Sequence, residues 1–277
     1  MTRSVIALLS DFGLRDYYVS ALKGVMLMIN PAASVIDISH SISKWNIEEG
    51  AFLLCQSIDW FPDQTIFVAV VDPGVGSERD IIAIKTRKHH LVGPDNGILI
   101  PAAKRDGIEE VVIVENPTYT LQRAGTFDGR DVMAPVAAHL SLGIRLDGLG
   151  PKAQTYVNLE FETPKFGPHA VEAKILHIDD FGNMITNVQV EAFRRWRGRV
   201  KTFSLVTEGR STNLTYCKSY EEMGQLPSLM DGSSGYVEIS VHRGNASSEL
   251  HLRVGRPITI ESWTPPTQSP LRKRGRS

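Results

Sequence analysis

Two cysteines in 277 residues are too few for a disulfide framework. Cys55 falls on an apolar helical stripe and reads as a buried, inert thiol, and Cys217 sits in a polar stretch. No apolar run reaches the ~20 residues of a membrane span. The five apolar residues after Ser4 give way to Ser10-Asp11, short of the apolar region of a signal peptide. An excess of one charge is missing too: 30 basic against 31 acidic residues leave a formal net charge of −1, which argues against a broad surface for nucleic acid or anionic lipid. There is no internal repeat. These absences predict a protein of the reducing cytoplasm, with no membrane and no nucleic-acid partner.

What is present is ordinary globular material, 42% apolar and 22% charged, long enough for one large domain or two ordinary ones. Short apolar runs at 5–9, 35–38, 65–71 and 111–114 predict strands. Helical patterns fall at 16–28, from 47 on (Ile47, Ala51, Leu54, Ile58), at 98–104 and at 132–140, where Pro135 is tolerable in a first turn. Asn46-Ile-Glu-Glu49 resembles a capping box, and residues 81–85 and 90–92 predict a hairpin. This alternation predicts an α/β domain over residues 1–155, with a largely parallel sheet, flanking helices and a ligand site at the strand ends. Past Gly150 the texture changes. Pro151, Pro164, Gly167 and Pro168 mark a linker, and strands at 171–178, 184–190, 200–206, 236–241 and 257–261 predict a β-barrel or sandwich over 168–264. The Pro-rich, then basic tail 265–277 predicts disorder.

Four stretches concentrate acids, glycines and aromatics at predicted strand ends. They are Ser10-Asp-Phe-Gly-Leu-Arg-Asp16, Asp72-Pro-Gly-Val-Gly-Ser-Glu-Arg79, Gly125-Thr-Phe-Asp-Gly-Arg-Asp131 and Ile178-Asp-Asp-Phe-Gly-Asn183. Any one alone fits a turn held by capping carboxylates; together, all beside buried runs, they point to a ligand site. The Asp72–Arg79 turn is a poor phosphate cradle, because it lacks the lysine-hydroxyl pair and leads into a strand instead of a helix N-terminus. No metal is called for: His89 and His90 are adjacent in a strand and face opposite ways, and lone His40, His139 and His177 read as hydrogen-bonded structural residues. Arg194-Arg-Trp-Arg-Gly-Arg199 reads as a solvated basic patch, with a local anion or RNA contact as the alternative.

These motifs, with Gly93-Pro-Asp-Asn-Gly97, Thr186-Asn187 and Arg243-Gly-Asn-Ala246, occur in an order that resembles the S-adenosylmethionine (SAM) hydroxide adenosyltransferase family, SAM hydrolases related to fluorinase and chlorinase. The resemblance spans roughly residues 5–260. It implies an N-terminal α/β domain, a C-terminal β-barrel and a homotrimer with active sites at subunit interfaces. SAM would be the substrate, with no cofactor. Water attacking the ribose 5′ carbon would release adenosine and L-methionine, whereas a halide would give a halogenated adenosine.

Carried over residue by residue, Asp11 would accept both ribose hydroxyls and Asp16 would pair with the methionine ammonium. Trp45 and Phe127 would wall the ribose and the sulfonium. Asp179, in competition with Asp180, and Asn183 would hold methionine's polar end, and Phe181, Arg243 and Ala246 would lie by the methionine and adenine pockets. Asp72 and Arg79 match two members of a water-positioning Asp-Arg-His triad. The halogenases carry Tyr at position 72, and fluorinase has a fluoride-binding serine where this chain has Gly129, so hydrolysis is favoured. The triad histidine is replaced by Asp128. Either Asp128 takes over as base, or the water-activating apparatus is impaired and leaves a slow hydrolase or a SAM- or adenosine-binding protein.

Overall fold

The computed structural model describes residues 4–122 and 125–262; the tail expected to be disordered lies outside them. The chain divides into two compact units, one ending at Phe161 and one beginning at Glu162.

The first unit runs β1 (Val5–Ser10), α1 (Tyr18–Ile29), β2 (Ser34–Ser39), α2 (Ile47–Ser57), β3 (Ile66–Val70), β4 (Ile81–Thr86), β5 (His90–Pro94), α3 (Ile100–Asp106), β6 (Ile108–Ile113) and α4 (Ala134–Ser141). Its sheet has the order β2-β1-β3-β5-β4-β6. The sheet expected to be largely parallel is mixed. β2, β1, β3 and β5 run parallel, while β4 runs antiparallel to both β5 and β6. The cause is the short loop between Thr86 and His90, closed by Thr86 N–H on the His89 carbonyl at 2.9 Å; a parallel pair would need a long crossover.

Period-2 alternation gives this sheet two apolar faces. Ile6, Leu8, Val68 and Val70 pack with Leu22 and Met26 of α1 and Val136 and Ala137 of α4. Ala7, Leu9, Phe67 and Ala69 pack with Ala51 and Leu54 of α2 and Ala102 and Ala103 of α3. Each such Leu or Ile, fully buried, contributes about 1.5–3 kcal/mol. Asn46 caps α2 as expected, its side chain accepting from Glu49 N–H at 3.1 Å, but the Glu49 carboxylate reaches back to Ser43 N–H at 2.9 Å instead of to the cap residue itself. The helix expected from 132 begins as a π turn over Gly129–Met133 and becomes α-helical at Ala134, with Pro135 in its first turn.

The second unit runs β7 (Lys165–Phe166), β8 (Ala170–Ile178), β9 (Met184–Gln189), α5 (Val190–Arg197), β10 (Thr202–Thr207), β11 (Arg210–Tyr216), β12 (Ser228–Asp231), β13 (Tyr236–Ser240), α6 (Ala246–Leu250) and β14 (Pro257–Ser262). The strands β14-β10-β11-β12-β13-β9-β8 close into a seven-stranded barrel through the antiparallel β14–β8 pair, and β7 adds outside the ring on β8. Phe193, Phe203, Leu229, Ile239 and Ile260 fill the interior.

Three expectations change here. β11 carries no apolar alternation beyond Leu214 and Tyr216 at its end, so periodicity alone missed it, and β12 has only four residues. The basic stretch spans the last turn of α5 and the two residues after it; Arg194, Arg195 and Arg199 are exposed as expected, but part of the stretch is also tied to the barrel. Arg194 bonds Asp231 at 2.6 Å, Arg197 lies 3.7 Å above the Tyr216 ring, and Trp196 Nε1–H donates to the Gly167 carbonyl at 2.7 Å. Cys217, placed in a polar stretch by sequence, is buried against Met223 and Met230. Cys55 is half-buried, and burial pushes its thiol pKa up. No helix among the described residues is long and apolar enough to cross a membrane.

Gly93 on β5 marks the tightest approach near the sheet centre. A Cβ there would lie 2.7 Å from the Ala69 carbonyl oxygen and 3.1 Å from the Leu99 side chain. Since backbone cannot yield as a side-chain tip does, Gly93→Ala should lower the free energy of unfolding by about 1–3 kcal/mol, read as a lower urea midpoint.

Candidate active site

β3 delivers buried Val70 and Val71 and then Asp72, whose carbonyl accepts Val75 N–H at 3.3 Å to start the turn. The turn passes Gly76, at φ +83°, where a Cβ would come within 3.2 Å of the Thr126 side chain, and returns Arg79 over Asp72 before β4 begins. Arg79 Nε–H donates to both Asp72 oxygens, at 2.8 and 2.9 Å. Its Nη2 donates to Asp72 Oδ2 and, at 2.7 Å, to Asp128 Oδ2. Both carboxylates are buried, Asp72 to 8% exposure and Asp128 to 5%. Burial works against the Arg79 charge, but the bonds to Asp72 and Asp128 outweigh it and raise the guanidinium pKa.

Asp128 stands at the head of the π turn, where Arg130 and Asp131 N–H both donate to the Phe127 carbonyl at 3.0 Å. The Phe127 ring meets Phe12 at 5.7 Å and Tyr18 at 5.3 Å, both edge-on, and Arg130 lies 5.1 Å from its centroid. Asp11 follows β1. Its Oδ2 accepts Trp45 N–H at 2.9 Å, and its carbonyl accepts from Lys44 Nζ. To aim that amide, Trp45 adopts φ 68°, a left-handed conformation costing a non-glycine residue about 1–2 kcal/mol, and it leaves its ring 65% exposed.

The cleft in this unit, about 620 Å³, is lined by Asp11, Asp16, Trp45, Asp72, Phe127, Asp128 and Gly129. The structure thus brings together the residues expected from the first unit, with Arg79 behind two of them. Sequence reasoning passed over Phe12, Tyr17, Tyr18 and Lys44, which also line it. The available signal was the adjacent Tyr17-Tyr18 pair directly after Asp16.

In the barrel unit, the 179–183 turn between β8 and β9 is knitted by Asp179. Its Oδ1 accepts Asn183 N–H at 2.8 Å and its Oδ2 accepts Asn183 Nδ2 at 2.9 Å, whereas Asp180 is exposed. Phe181 is 79% exposed. Ser247 N–H donates to the Gly182 carbonyl at 3.0 Å, so the segment bearing Arg243 and buried Ala246 sits against this turn. Two residues not foreseen complete the cluster: Tyr220 Oη lies 3.3 Å from Asn183 Nδ2 and donates to Glu238 Oε2 at 3.4 Å. Among the described residues no group of three or more His, Cys, Asp or Glu could hold a metal ion.

The family model described as the SAM hydroxide adenosyltransferase N-terminal domain matches residues 6–150, and that of the C-terminal domain matches residues 173–259. The chain belongs to the SAM hydroxide adenosyltransferase family. Within it, the (R)-S-adenosyl-L-methionine hydrolase of Salinispora arenicola is 40% identical over 264 residues, covering 92% of this chain and 97% of its own. The hydrolase of the same name from Thermus thermophilus is 34% identical over 269 residues, covering 91% and 97%. A fluorinase from an Actinoplanes species is more distant, 25% identical over 290 residues, covering 92% and 97%. The crystal structure of an uncharacterized conserved protein from Thermotoga maritima matches with a TM-score of 0.86 at 32% identity, covering 92% of this chain and 99% of its own.

In this family member the barrel cluster has a pH signature. Burial first, and Asp179 second, hold the Glu238 carboxyl above its ordinary value of 4.5, against the pull of Tyr220 and the Ser233 amide. As pH rises past that value the unfolded chain ionises while the folded chain keeps its proton, so this group costs stability from there upward. Glu238→Gln should therefore melt higher than the native protein at pH 7 to 8, the difference vanishing below about pH 4, as followed by calorimetry.

Proposed function

We propose that the protein hydrolyses SAM to adenosine and L-methionine. The carrying observation is the Asp72–Arg79–Asp128 clamp beside the cleft, in a chain 34–40% identical to proteins named as such hydrolases. The described lining carries the carboxylates of Asp11, Asp16, Asp72 and Asp128 beside Lys44 and Arg130, a setting that suits a cationic sulfonium. Water oxygen bonds to the ribose 5′ carbon as the carbon–sulfur bond breaks, the electron pair leaves on sulfur as neutral methionine, and Asp128 takes the water's proton. Sulfonium is a good leaving group, so no general acid is needed; the protein supplies position and partial dehydration.

Asp11 receives the ribose hydroxyls, Asp16 the methionine ammonium, and Trp45, Phe127 and Gly129 surround the reacting carbon. The relatives' names specify the (R) form, and we extend that preference to this chain. The working unit in this reading is a cytoplasmic homotrimer, in which Asp179, Phe181, Asn183, Arg243 and Ala246 of a neighbouring subunit complete each site. The exposed Phe181 ring supports it, as do two unpaired cysteines for a reducing compartment.

Incubation with SAM should yield adenosine and methionine in equal amounts whether or not chloride is present; a halogenated adenosine, or unchanged SAM, would overturn the reading. Asp128→Asn should slow release by about 100-fold or more and Asp128→His should retain turnover, whereas full activity of the Asn variant rules out Asp128 as base. Sedimentation equilibrium should return three times the chain mass.

A further inference from the structure

His40 lies outside the cleft lining, yet it fastens both sides of Asp11. Its Nδ1 is 2.7 Å from Ser10 Oγ, and its carbonyl accepts Gly13 N–H at 2.7 Å. Ser10 Oγ in turn accepts Phe12 N–H at 3.3 Å. On the far side of the ring, Nε2 meets Asp37 Oδ1 at 3.0 Å, and Asp37 Oδ2 accepts from Lys23 Nζ of α1 at 2.6 Å. Burial opposes the charge on Asp37, but the bonds from Lys23 and His40 prevail and hold its carboxyl below the ordinary range.

An ionised Asp37 accepts from Nε2–H, and in the neutral imidazole Nδ1 then accepts from the Ser10 hydroxyl. The Ser10 oxygen is then free to receive the Phe12 amide. With the imidazole neutral the chain of bonds has one direction, and Asp37 sets it.

The sheet is irregular at this point. β1 pairs Leu8 with Asp37 but Leu9 with Ser39, a one-residue slip in register. Beyond the slip, His40 stands across from Ser10. Without it Ser10 would face Ser39, which has neither the reach nor the second nitrogen. Bulges that re-aim a side chain recur beside active sites. Both Ser10 and His40 are buried, at 1% and 5% exposure, so the link is shielded from competing water.

We propose that His40, oriented by Asp37 and Lys23, is a positioning residue that holds the Ser10–Gly13 backbone so that Asp11 presents its carboxylate to the ribose hydroxyls. This rests on the ribose role given to Asp11 above. Ser10 is not a nucleophile in this arrangement: its hydroxyl is engaged in both directions and faces no cleft.

The test compares calorimetric affinities of the full-length protein for adenosine and 2′-deoxyadenosine. The native protein should favour adenosine by about tenfold or more, the value of a hydrogen bond to a charged group, and Asp11→Ala should abolish that preference. His40→Ala and Ser10→Ala should lose most of the preference while binding 2′-deoxyadenosine within about twofold of the native protein, because the bond they disturb is the one to the missing hydroxyl. His40→Asn, which keeps an acceptor near the place of Nδ1, should restore most of it. A preference retained in His40→Ala and Ser10→Ala but lost in Asp11→Ala overturns the proposal and leaves the ribose reading standing. Equal weakening of both nucleosides also overturns it, since that is what a general structural role produces. A preference retained in Asp11→Ala removes the ribose reading, and the proposal with it.

Discussion

A single guanidinium holds two buried carboxylates, and the cleft is arranged around that clamp. Arg79 reaches Asp72 seven residues back and Asp128 forty-nine residues on, joining the turn after β3 to the π turn that opens α4. A carboxylate buried to this depth without a partner is costly, and removing one member of such a group destabilises far more than the intact group stabilises. The clamp is therefore a poor device for stability and a good one for position. Its two oxygens on Nη2 belong to different segments, so neither segment moves without disturbing the other. The clamp lies beside a cleft walled by Trp45, Phe127 and Tyr18, aromatic surface against which a cation is tolerated.

Three irregular features of the first unit lie around the same cleft. Trp45 sits in a left-handed conformation to give Asp11 its amide, the β1–β2 register slips just before Ser10, and the π turn sets Asp128 and Gly129 one after the other. Each departs from regular geometry at a cost that the sheet and helices beneath can carry. Asp11 and Asp72 both follow the carboxyl ends of parallel strands, the place where open α/β sheets bind ligands. The barrel unit behaves likewise: Asp179 uses both oxygens to lock the 179–183 turn, which leaves Phe181 displayed and Glu238 buried next to another acid.

Most of the first unit was legible because β1, β3, β4 and β5 are buried on both faces and its helices carry stripes, so composition and period agree. The hairpin 81–92 was also legible, and its short loop already sets β4 antiparallel to β5; that β6 adds antiparallel on the other edge of β4 was not. In the barrel, Arg210-Ser-Thr-Asn-Leu-Thr-Tyr216 gave no strand signal, because its first four residues are all polar and the pairing with β10 supplies the order instead. Arg194 and Arg197 looked solvated for a related reason: their partners, Asp231 and Tyr216, come from strands that periodicity did not reveal. Cys217 is buried by Met230 of β12, a strand equally invisible in advance.

By itself the sequence determined the class of each unit, the family and about half of the residues that line the cleft, because apolar period and motif order are local properties written in consecutive residues. Tertiary structure decided what those residues do to one another. It set Asp128 on the same guanidinium as Asp72, chose Asp179 over Asp180 as the residue that holds the turn, and turned His40 from a lone histidine into the fastening behind Asp11. Those relations depend on distances between segments far apart in the chain, and only strand register, a bulge and a π turn determine them.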